Sequence, residues 1–366
     1  MFDWIPVELY TSLHYHVLLL VMLIILAHAF VYDVSDQQSI QFFQVLGGIF
    51  TFLLVVYMGQ RQISGRYFGD TANYNRAYQF LQSGESIKIE KDFLFNYMMV
   101  YSSKIMSIHG FLQMCVVLYI VPCYLFSRKY FRNYWFFAMF MFMASFSFWA
   151  YGVNGVRNGL GTSLFLLALC FYNRKWLMYT LFVVSYFMHA SLVIPIAAFV
   201  VSGLYKNPKA YLAIWLLSIP LSLAGGSAWS SFFANLGFAE DRTQGYLTGG
   251  SDEYNDQFSQ SGFRWDFLVY SASAVFAGWY FIFKKKITDL FYIHLFGTYC
   301  IANAFWILVI TAAFSNRFAY LSWFLMPAVI AYPMFRYKIW DNQYQRFGII
   351  LFLYFMFTYF MNVILS

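Results

Sequence analysis

The chain has 366 residues, of which 61% are hydrophobic and only 11% are charged, and its mean hydropathy is +0.58. Soluble globular domains carry about 25% charged residues, so this composition excludes a soluble domain. It predicts an all-α polytopic transmembrane bundle, because helices satisfy their backbone hydrogen bonds internally within a membrane. The net charge of +7 comes from short basic clusters between apolar segments, and we expect no nucleic-acid partner.

The cysteines indicate neither a disulfide framework nor a metal site. Cys115, Cys123, Cys170 and Cys300 all lie in apolar runs without CxxC spacing, which is typical of small core residues. The first residues are weakly acidic and the first apolar run continues as a full span, so we expect no cleavable signal peptide. We expect one transmembrane domain over residues 1–366.

Twelve apolar segments follow one another along the chain. They cover residues 15–32, 40–58, 109–126, 134–151, 157–172, 176–188, 190–205, 210–225, 265–283, 288–312, 317–335 and 347–364. A membrane span needs about 20 residues. The segments 176–188 and 190–205 are short and meet at His189. They form either one long tilted helix or a re-entrant hairpin of two half-helices.

Five basic clusters between the segments predict the topology. They are Arg128, Lys129 and Arg132; Arg174 and Lys175; Lys206 and Lys209; Lys284, Lys285 and Lys286; and Arg336, Lys338 and Arg346. Because basic loops prefer the cytoplasm, all five lie inside only if residues 176–205 enter and leave on the same side. This favours the hairpin and predicts about ten spans plus one re-entrant hairpin, with both termini outside.

Two long loops, 59–108 and 226–264, then lie on the outer side. The acidic residues of the second loop are Glu240, Asp241, Asp252, Glu253 and Asp256. In the first loop, residues 71–82 place Tyr74 and Tyr78 at helical spacing, and residues 93–106 are typical of a second amphipathic helix. We expect both helices to lie on the membrane surface.

Polar residues converge on the outer side in this topology. They are Arg66, Asp70, Tyr74, Arg157, Arg264, Asp266 and Arg317, with His189 at the tip of the hairpin. A guanidinium at membrane depth is costly and is kept mainly where it faces a polar cavity or an anionic partner. Guanidinium forks bind phosphate oxygens in pairs. The pattern therefore predicts an outward-facing pocket for a phosphate or diphosphate that carries a lipid tail.

Four short motifs occur in order along the chain. They are SGRYFGDTANYNRAYQFL from residue 64, NGVRNGL from residue 154, FMHASLVIP from residue 187 and SNRFAYLSWFLMP from residue 315. In order and spacing the chain resembles the EpsG-type family of bacterial exopolysaccharide polymerases, which is related in role to the Wzy polymerases. The family pattern maps onto Asp70, Tyr74, Arg157, His189 and Arg317, and Asn158 stands where the family usually has Gln.

The resemblance implies the joining of undecaprenyl-diphosphate-linked oligosaccharide repeat units into an O-antigen, capsule or exopolysaccharide. It implies glycosyl transfer from a lipid diphosphate on the outer face of the bacterial inner membrane, without a nucleotide sugar. Expected partners are that lipid-linked oligosaccharide and membrane lipid, and candidate partners are a chain-length regulator and a flippase of the same pathway. No carboxylate cluster with metal-ligand spacing is visible in the sequence, so we expect no cofactor and no catalytic metal.

A polymerase of this kind needs a base and a diphosphate clamp. The base takes the proton of the attacking sugar hydroxyl, and Asp70 and His189 are its candidates. We expect Arg157 and Arg317 to bind the diphosphate and Arg66 or Arg264 to complete its neutralisation. Tyr74 is a further expected substrate-binding residue.

Each of these residues also has a structural interpretation. Asp70 could cap the helix 71–82. His189 could donate to carbonyl groups freed by the helix break. Arg264 could anchor at the interface or pair with Asp266.

The other arginines have structural interpretations as well. Arg157 and Arg317 could extend their side chains to the outer interface. Arg61 and Arg76 are expected to meet lipid headgroups.

Two other functional classes remain open on the sequence. Half-helices at mid-membrane are typical of transporters, so the chain could be a flippase or transporter of an anionic lipid or solute. A polysaccharide ligase would use the same diphosphate pocket with a different acceptor.

Overall fold

The computed structural model describes residues 2–233, 262–312 and 315–365, and within these ranges the chain is helical without a β-strand. The α-helices are Val7–Val31, Gln37–Gly59, Gly65–Phe68, Thr71–Gln82, Phe93–Ser102, Ile108–Phe131, Trp135–Met143, Phe146–Val153, Val156–Leu169, Lys175–Met188, Val193–Leu204, Pro208–Gly225, Ser227–Phe233, Trp265–Trp279, Leu290–Leu308, Asn316–Trp323, Met326–Arg336 and Gln343–Tyr359. The acidic residues of the loop 226–264 lie outside the described residues.

The part of the chain that the structure describes contains eight helical segments long and apolar enough to cross a membrane. They are Val7–Val31, Gln37–Gly59, Ile108–Met143, Pro208–Gly225, Trp265–Lys284, Leu290–Leu308, Asn316–Arg336 and Gln343–Ile364. Val156–Leu169 and Ala190–Leu204 are shorter apolar helices. The prediction of an all-α polytopic membrane bundle is confirmed.

The chain divides into two compact units. The first unit comprises Met1–Leu192 and Met334–Ser366, and the second comprises Val193–Pro333. Within the first unit, the helix Ile108–Phe131 packs against both Gln37–Gly59 and Val156–Leu169. The helix Val156–Leu169, which carries Arg157, is thereby anchored in the first unit.

The predicted span 134–151 is divided into the helices Trp135–Met143 and Phe146–Val153. All nine residues of the first helix are buried. The break frees backbone carbonyl groups, and the Thr358 hydroxyl donates to that of Ala144 at 2.9 Å. Because water is scarce at membrane depth, this side-chain donor makes the break tolerable.

A second break confirms the division at His189. The helix Lys175–Met188 ends there, His189 is extended at φ −155°, and a 3-10 turn, Ala190–Leu192, follows. The side chain of Ser185 donates to the carbonyl of Gly161 at 2.8 Å and ties this region to the neighbouring helix. The re-entrant course of residues 176–205 stays a prediction, because the boundary between the two units follows Leu192.

The loop 59–108 contains the expected helices, Thr71–Gln82 and Phe93–Ser102. Tyr74 packs against Phe95 with ring centres 5.3 Å apart, and the Tyr78 hydroxyl donates to the carbonyl of Met106 at 3.0 Å. The inner faces of both helices therefore pack on protein. Their outer faces carry exposed aromatic side chains, namely Phe80, Tyr97 and Tyr101. Contact of these faces with a membrane surface stays a prediction.

The second unit is centred on the helix Leu290–Leu308 and on a buried amide within it. Asn303 accepts a hydrogen bond from the indole of Trp215 at 2.7 Å. It donates to the hydroxyls of Ser322 at 2.9 Å and Ser271 at 3.2 Å. A polar group with this many partners is stable in an apolar interior and fixes the packing of its neighbours.

Candidate functional site

Arg157 lies in the first turn of the helix Val156–Leu169, directly after a helix break. The helix Phe146–Val153 ends at Asn154, and Gly155 precedes the new helix. The first amide groups of a helix carry a partial positive charge. This charge adds to that of Arg157, so the break is a favourable place for an anion.

Two residues of the loop 59–108 donate hydrogen bonds to the carbonyl of Val153. The guanidinium of Arg61 donates to this carbonyl at 3.1 Å and to the Thr71 hydroxyl at 3.3 Å. Thr71 itself donates to Val153 at 2.8 Å. These bonds fix the residue four positions before Arg157.

Arg61 is fully buried, so the expectation that it meets lipid headgroups is wrong. It makes no ion pair within the described residues, and it donates to the carbonyls of Met58 and Val153 near two helix C-termini. The partial negative charge of a helix C-terminus stabilises a cation there. Burial lowers the pKa of Arg61 to about 10, which leaves it charged at neutral pH.

A second contact from the same loop holds Asn154. The backbone N–H of Asp70 donates to the side-chain oxygen of Asn154 at 2.9 Å. Gly69 has φ +50°, and a Cβ there would lie 2.2 Å from that oxygen. Only glycine therefore allows this close approach. The Asp70 carboxylate does not cap the helix Thr71–Gln82, so the capping interpretation of this residue is wrong.

The guanidinium of Arg157 pairs with Asp92. Nη1 of Arg157 donates to Oδ2 of Asp92 at 2.6 Å. The Asp92 side chain is 0% exposed, whereas that of Arg157 is 26% exposed. Arg157 is therefore anchored on a buried carboxylate while part of its side chain stays accessible.

The turn after His189 completes the cluster. The backbone N–H of Ala190 donates to Oδ1 of Asp92 at 3.1 Å, and that oxygen lies 4.0 Å from Nδ1 of His189. The hydroxyl of Ser191 donates to the side-chain oxygen of Asn158 at 2.7 Å. The structure thus brings Arg157 and His189 together around one carboxylate.

The ring of His189 has a defined orientation. Nδ1 lies 3.2 Å from the backbone nitrogen of Ser191 and 3.0 Å from the Ser191 hydroxyl oxygen, so the turn fixes the orientation of the ring. Donation from His189 to a freed carbonyl stays a prediction. The ring is 8% exposed.

Tyr74 links Asp70 to this cluster. Its hydroxyl is buried and lies within electrostatic range of both Arg157 and Asp70. Burial raises the pKa of Tyr74 to about 12, and the nearby guanidinium opposes this rise. The phenol therefore keeps its proton at neutral pH and can donate to an anion. Asp70, Tyr74, Asp92, Arg157 and His189 thus share one region of the first unit, which we call the Arg157 cluster.

The other predicted arginines lie elsewhere. Arg66 is exposed, and its guanidinium lies 5.5 Å from the centre of the Tyr67 ring without a hydrogen bond to the Arg157 cluster. In the second unit, Arg264 makes two hydrogen bonds to Asp266, at 2.6 and 3.0 Å, which is the ion pair that the sequence left open. Roles of these arginines in substrate binding stay predictions.

Arg264 and Arg317 nevertheless share a neighbour. Both lie within electrostatic range of the buried Tyr320 hydroxyl, although 53 positions separate them. Asn316 donates to that hydroxyl at 3.3 Å. The second unit therefore has its own group of cations around a tyrosine.

Asp92 and Arg61 are site residues that the motifs do not reveal. Asp92 precedes an amphipathic helix, where an acidic residue usually indicates a helix cap. Arg61 follows a membrane span, where a basic residue usually indicates an interface anchor. Because each sequence context has a common structural explanation, only the tertiary contacts identify Asp92 and Arg61 as residues of the site.

Comparison with known proteins identifies the family of the chain. The EpsG family model matches residues 44–366, a range that includes every residue of the Arg157 cluster. No curated protein and no solved structure matches the chain. The chain belongs to the EpsG family, and this membership implies a membrane protein with a polymerase-like function in polysaccharide biosynthesis.

Proposed function

We propose that the protein joins undecaprenyl-diphosphate-linked oligosaccharide repeat units into a cell-surface polysaccharide. The observation that best supports this proposal is the Arg157 cluster. It combines a partly exposed arginine side chain, a buried carboxylate and an oriented imidazole at a helix N-terminus. The guanidinium and the imidazole suit a diphosphate that leaves a sugar, because the carboxylate holds them in place and they stabilise negative charge without having to reorganise.

The proposed reaction is a displacement at the anomeric carbon of the donor. A hydroxyl oxygen of the acceptor sugar forms a bond to this carbon, and the bond between the carbon and the diphosphate oxygen breaks. The hydroxyl proton passes to a base, and the undecaprenyl diphosphate leaves as an anion. Positioning and charge stabilisation supply most of the acceleration in reactions of this type.

The groups of the cluster divide these tasks. Arg157 and His189 donate to the departing diphosphate, because the turn holds the imidazole beside the carboxylate that pairs with Arg157. Asp70 is the candidate for the base, since its carboxylate is half-buried and lies near the Tyr74 hydroxyl and Arg157. The buried Tyr74 phenol donates to the same anion.

The proposed function also includes a location in the membrane, a second substrate contact and partner proteins. The site faces the periplasm or the cell exterior, and the protein lies in the bacterial inner membrane. The Arg264 and Arg317 group binds an anionic part of the substrate. Charge stabilisation comes from arginines, so chain extension proceeds without a metal ion. A chain-length regulator and a flippase of the same pathway are proposed partners.

Reconstitution with a chemically defined donor tests the proposal. Purified protein in lipid vesicles receives an undecaprenyl-diphosphate-linked repeat unit, and the products are separated by size. A ladder of products supports the polymerase, and its persistence with EDTA supports metal independence. Loss of the ladder in EDTA with recovery on added Mg²⁺ or Mn²⁺ would contradict metal independence.

The same assay distinguishes the other functional classes. A single transfer to a different lipid acceptor indicates a ligase. Movement of an unchanged donor across the vesicle membrane indicates a flippase. Either result without a ladder would overturn the polymerase proposal.

A further inference from the structure

We propose that Asp92 is a positioning residue that sets Arg157 and the His189 turn in their working arrangement before the donor binds. The proposal rests on the proposed function, because it assumes that Arg157 binds the donor diphosphate. Asp92 lies outside the four sequence motifs, and its role follows from contacts alone.

Asp92 connects three separate parts of the chain. Its backbone begins the helix Phe93–Ser102, its Oδ2 accepts from Arg157, and its Oδ1 accepts from Ala190. The two partners lie 65 and 98 positions away. One carboxylate thus fixes the guanidinium and the turn that carries His189 relative to each other.

The local conformation indicates that this placement is not incidental. Asp92 occupies the N-cap position of its helix, yet its side chain makes no capping hydrogen bond. Its φ of 50° lies in the left-handed region, which costs a non-glycine residue free energy. Asp92 therefore makes no helix-capping hydrogen bond, and its backbone adopts a strained conformation in which the side chain reaches Arg157 and Ala190.

A carboxylate is the side chain that this position requires. Both of its partners are donors, and a carboxylate offers two acceptor oxygens. An asparagine has one oxygen, so it satisfies Arg157 or Ala190 but not both. Asp92→Asn therefore loosens the arrangement with almost no change in side-chain volume.

The negative charge of Asp92 also affects donor binding, which an uncharged structural residue would not do. A negative charge 2.6 Å from Arg157 opposes the approach of an anionic donor. Removing it strengthens ground-state binding of the diphosphate but leaves the guanidinium poorly oriented. Asp92 thus lowers the affinity for the donor and at the same time orients the guanidinium of Arg157. The Asp92→Asn variant separates these two effects.

The test compares Asp92→Asn with Glu90→Gln, which removes the same charge from an exposed side chain of the same loop. Binding of radiolabelled undecaprenyl diphosphate and chain extension at saturating donor are measured for each purified variant. For Asp92→Asn we expect the dissociation constant to fall about threefold or more. We expect the maximal rate to fall about 10- to 100-fold. Glu90→Gln should match the wild type.

Weaker donor binding by Asp92→Asn, or a maximal rate equal to that of Glu90→Gln, would overturn the role of Asp92. A wild-type protein that forms no ladder contradicts the proposed function instead, so the two failures are distinguishable.

A double variant keeps the test independent of activity. Arg157→Ala leaves a buried, unpaired carboxylate and should lower the thermal midpoint. Adding Asp92→Asn should restore part of this loss. An additional fall in the midpoint would contradict the proposed pairing.

Discussion

The buried guanidinium of Arg61 donates a hydrogen bond to the carbonyl oxygen of Val153 at 3.1 Å, although 92 positions separate the two residues. Val153 is the last residue of its helix, and Arg157 lies in the first turn of the next. Arg61 therefore controls the geometry of the break that presents Arg157.

Replacement of Arg61 by methionine should destabilise the protein and slow chain extension. The change leaves Met58, Thr71 and Val153 without the three hydrogen bonds that Arg61 donates. A net loss of about 1 kcal/mol per bond gives about 3 kcal/mol. Thermal unfolding in detergent measures the loss.

Arg76→Met is the matched control for this change. Arg76 is exposed and, among the described residues, donates only to Asn73, so its replacement should change stability by less than about 0.5 kcal/mol. Equal effects of the two replacements would contradict a specific role of Arg61.

Replacement of Gly69 by alanine should disturb Asn154. Gly69 and Gly84 both have positive φ, so alanine strains the backbone at either position, at a cost of about 1 kcal/mol. Only at Gly69 does the new Cβ meet Asn154, whereas at Gly84 nothing lies within 4 Å. Rates of chain extension should therefore fall for Gly69→Ala and stay near the wild-type value for Gly84→Ala. Equal rates for both variants would show that the contact with Asn154 does not matter.

Asp70→Asn and His189→Ala should affect different steps. Loss of a general base lowers the rate about 10²- to 10⁴-fold, so Asp70→Asn should slow extension without weakening donor binding. His189→Ala removes a donor to the diphosphate and should weaken binding as well. Binding of undecaprenyl diphosphate and single-turnover rates measure the two effects. The opposite pattern would make His189 the base.

Arg317→Gln should abolish chain extension while the protein still inserts and folds. Arg317 lies at the start of the helix Asn316–Trp323, near the Tyr320 hydroxyl. Arg264→Gln should have a smaller effect, because Asp266 already neutralises that guanidinium. Size-exclusion profiles and extension rates are the measurements. Loss of folded protein with Arg317→Gln would assign it a structural role.

Much of the fold could be predicted from the sequence, because apolar length and polar breaks are local signals. The helix Thr71–Gln82 has the predicted bounds, and the break at His189 falls where two short apolar segments meet. The division of 134–151 could not be predicted. It depends on a hydroxyl from Thr358, more than 200 positions later.

The site was less predictable, since it depends on contacts between distant segments. Motifs identified Arg157 and His189, but the carboxylate between them belongs to neither motif. Arg61 has the sequence context of an interface anchor and the structural role of a buried clamp. For both Asp92 and Arg61, burial in the tertiary structure overrides the role that the local sequence indicates.

The central claim is that Arg157 binds a lipid-borne diphosphate, and direct binding tests it. Radiolabelled undecaprenyl diphosphate is titrated onto purified wild-type protein, Arg157→Gln and the exposed control Arg76→Gln, with folding checked by thermal unfolding. We predict saturable binding to the wild type and to Arg76→Gln, and at least about a tenfold loss of affinity for Arg157→Gln. Equal affinity of all three folded proteins would contradict the claim.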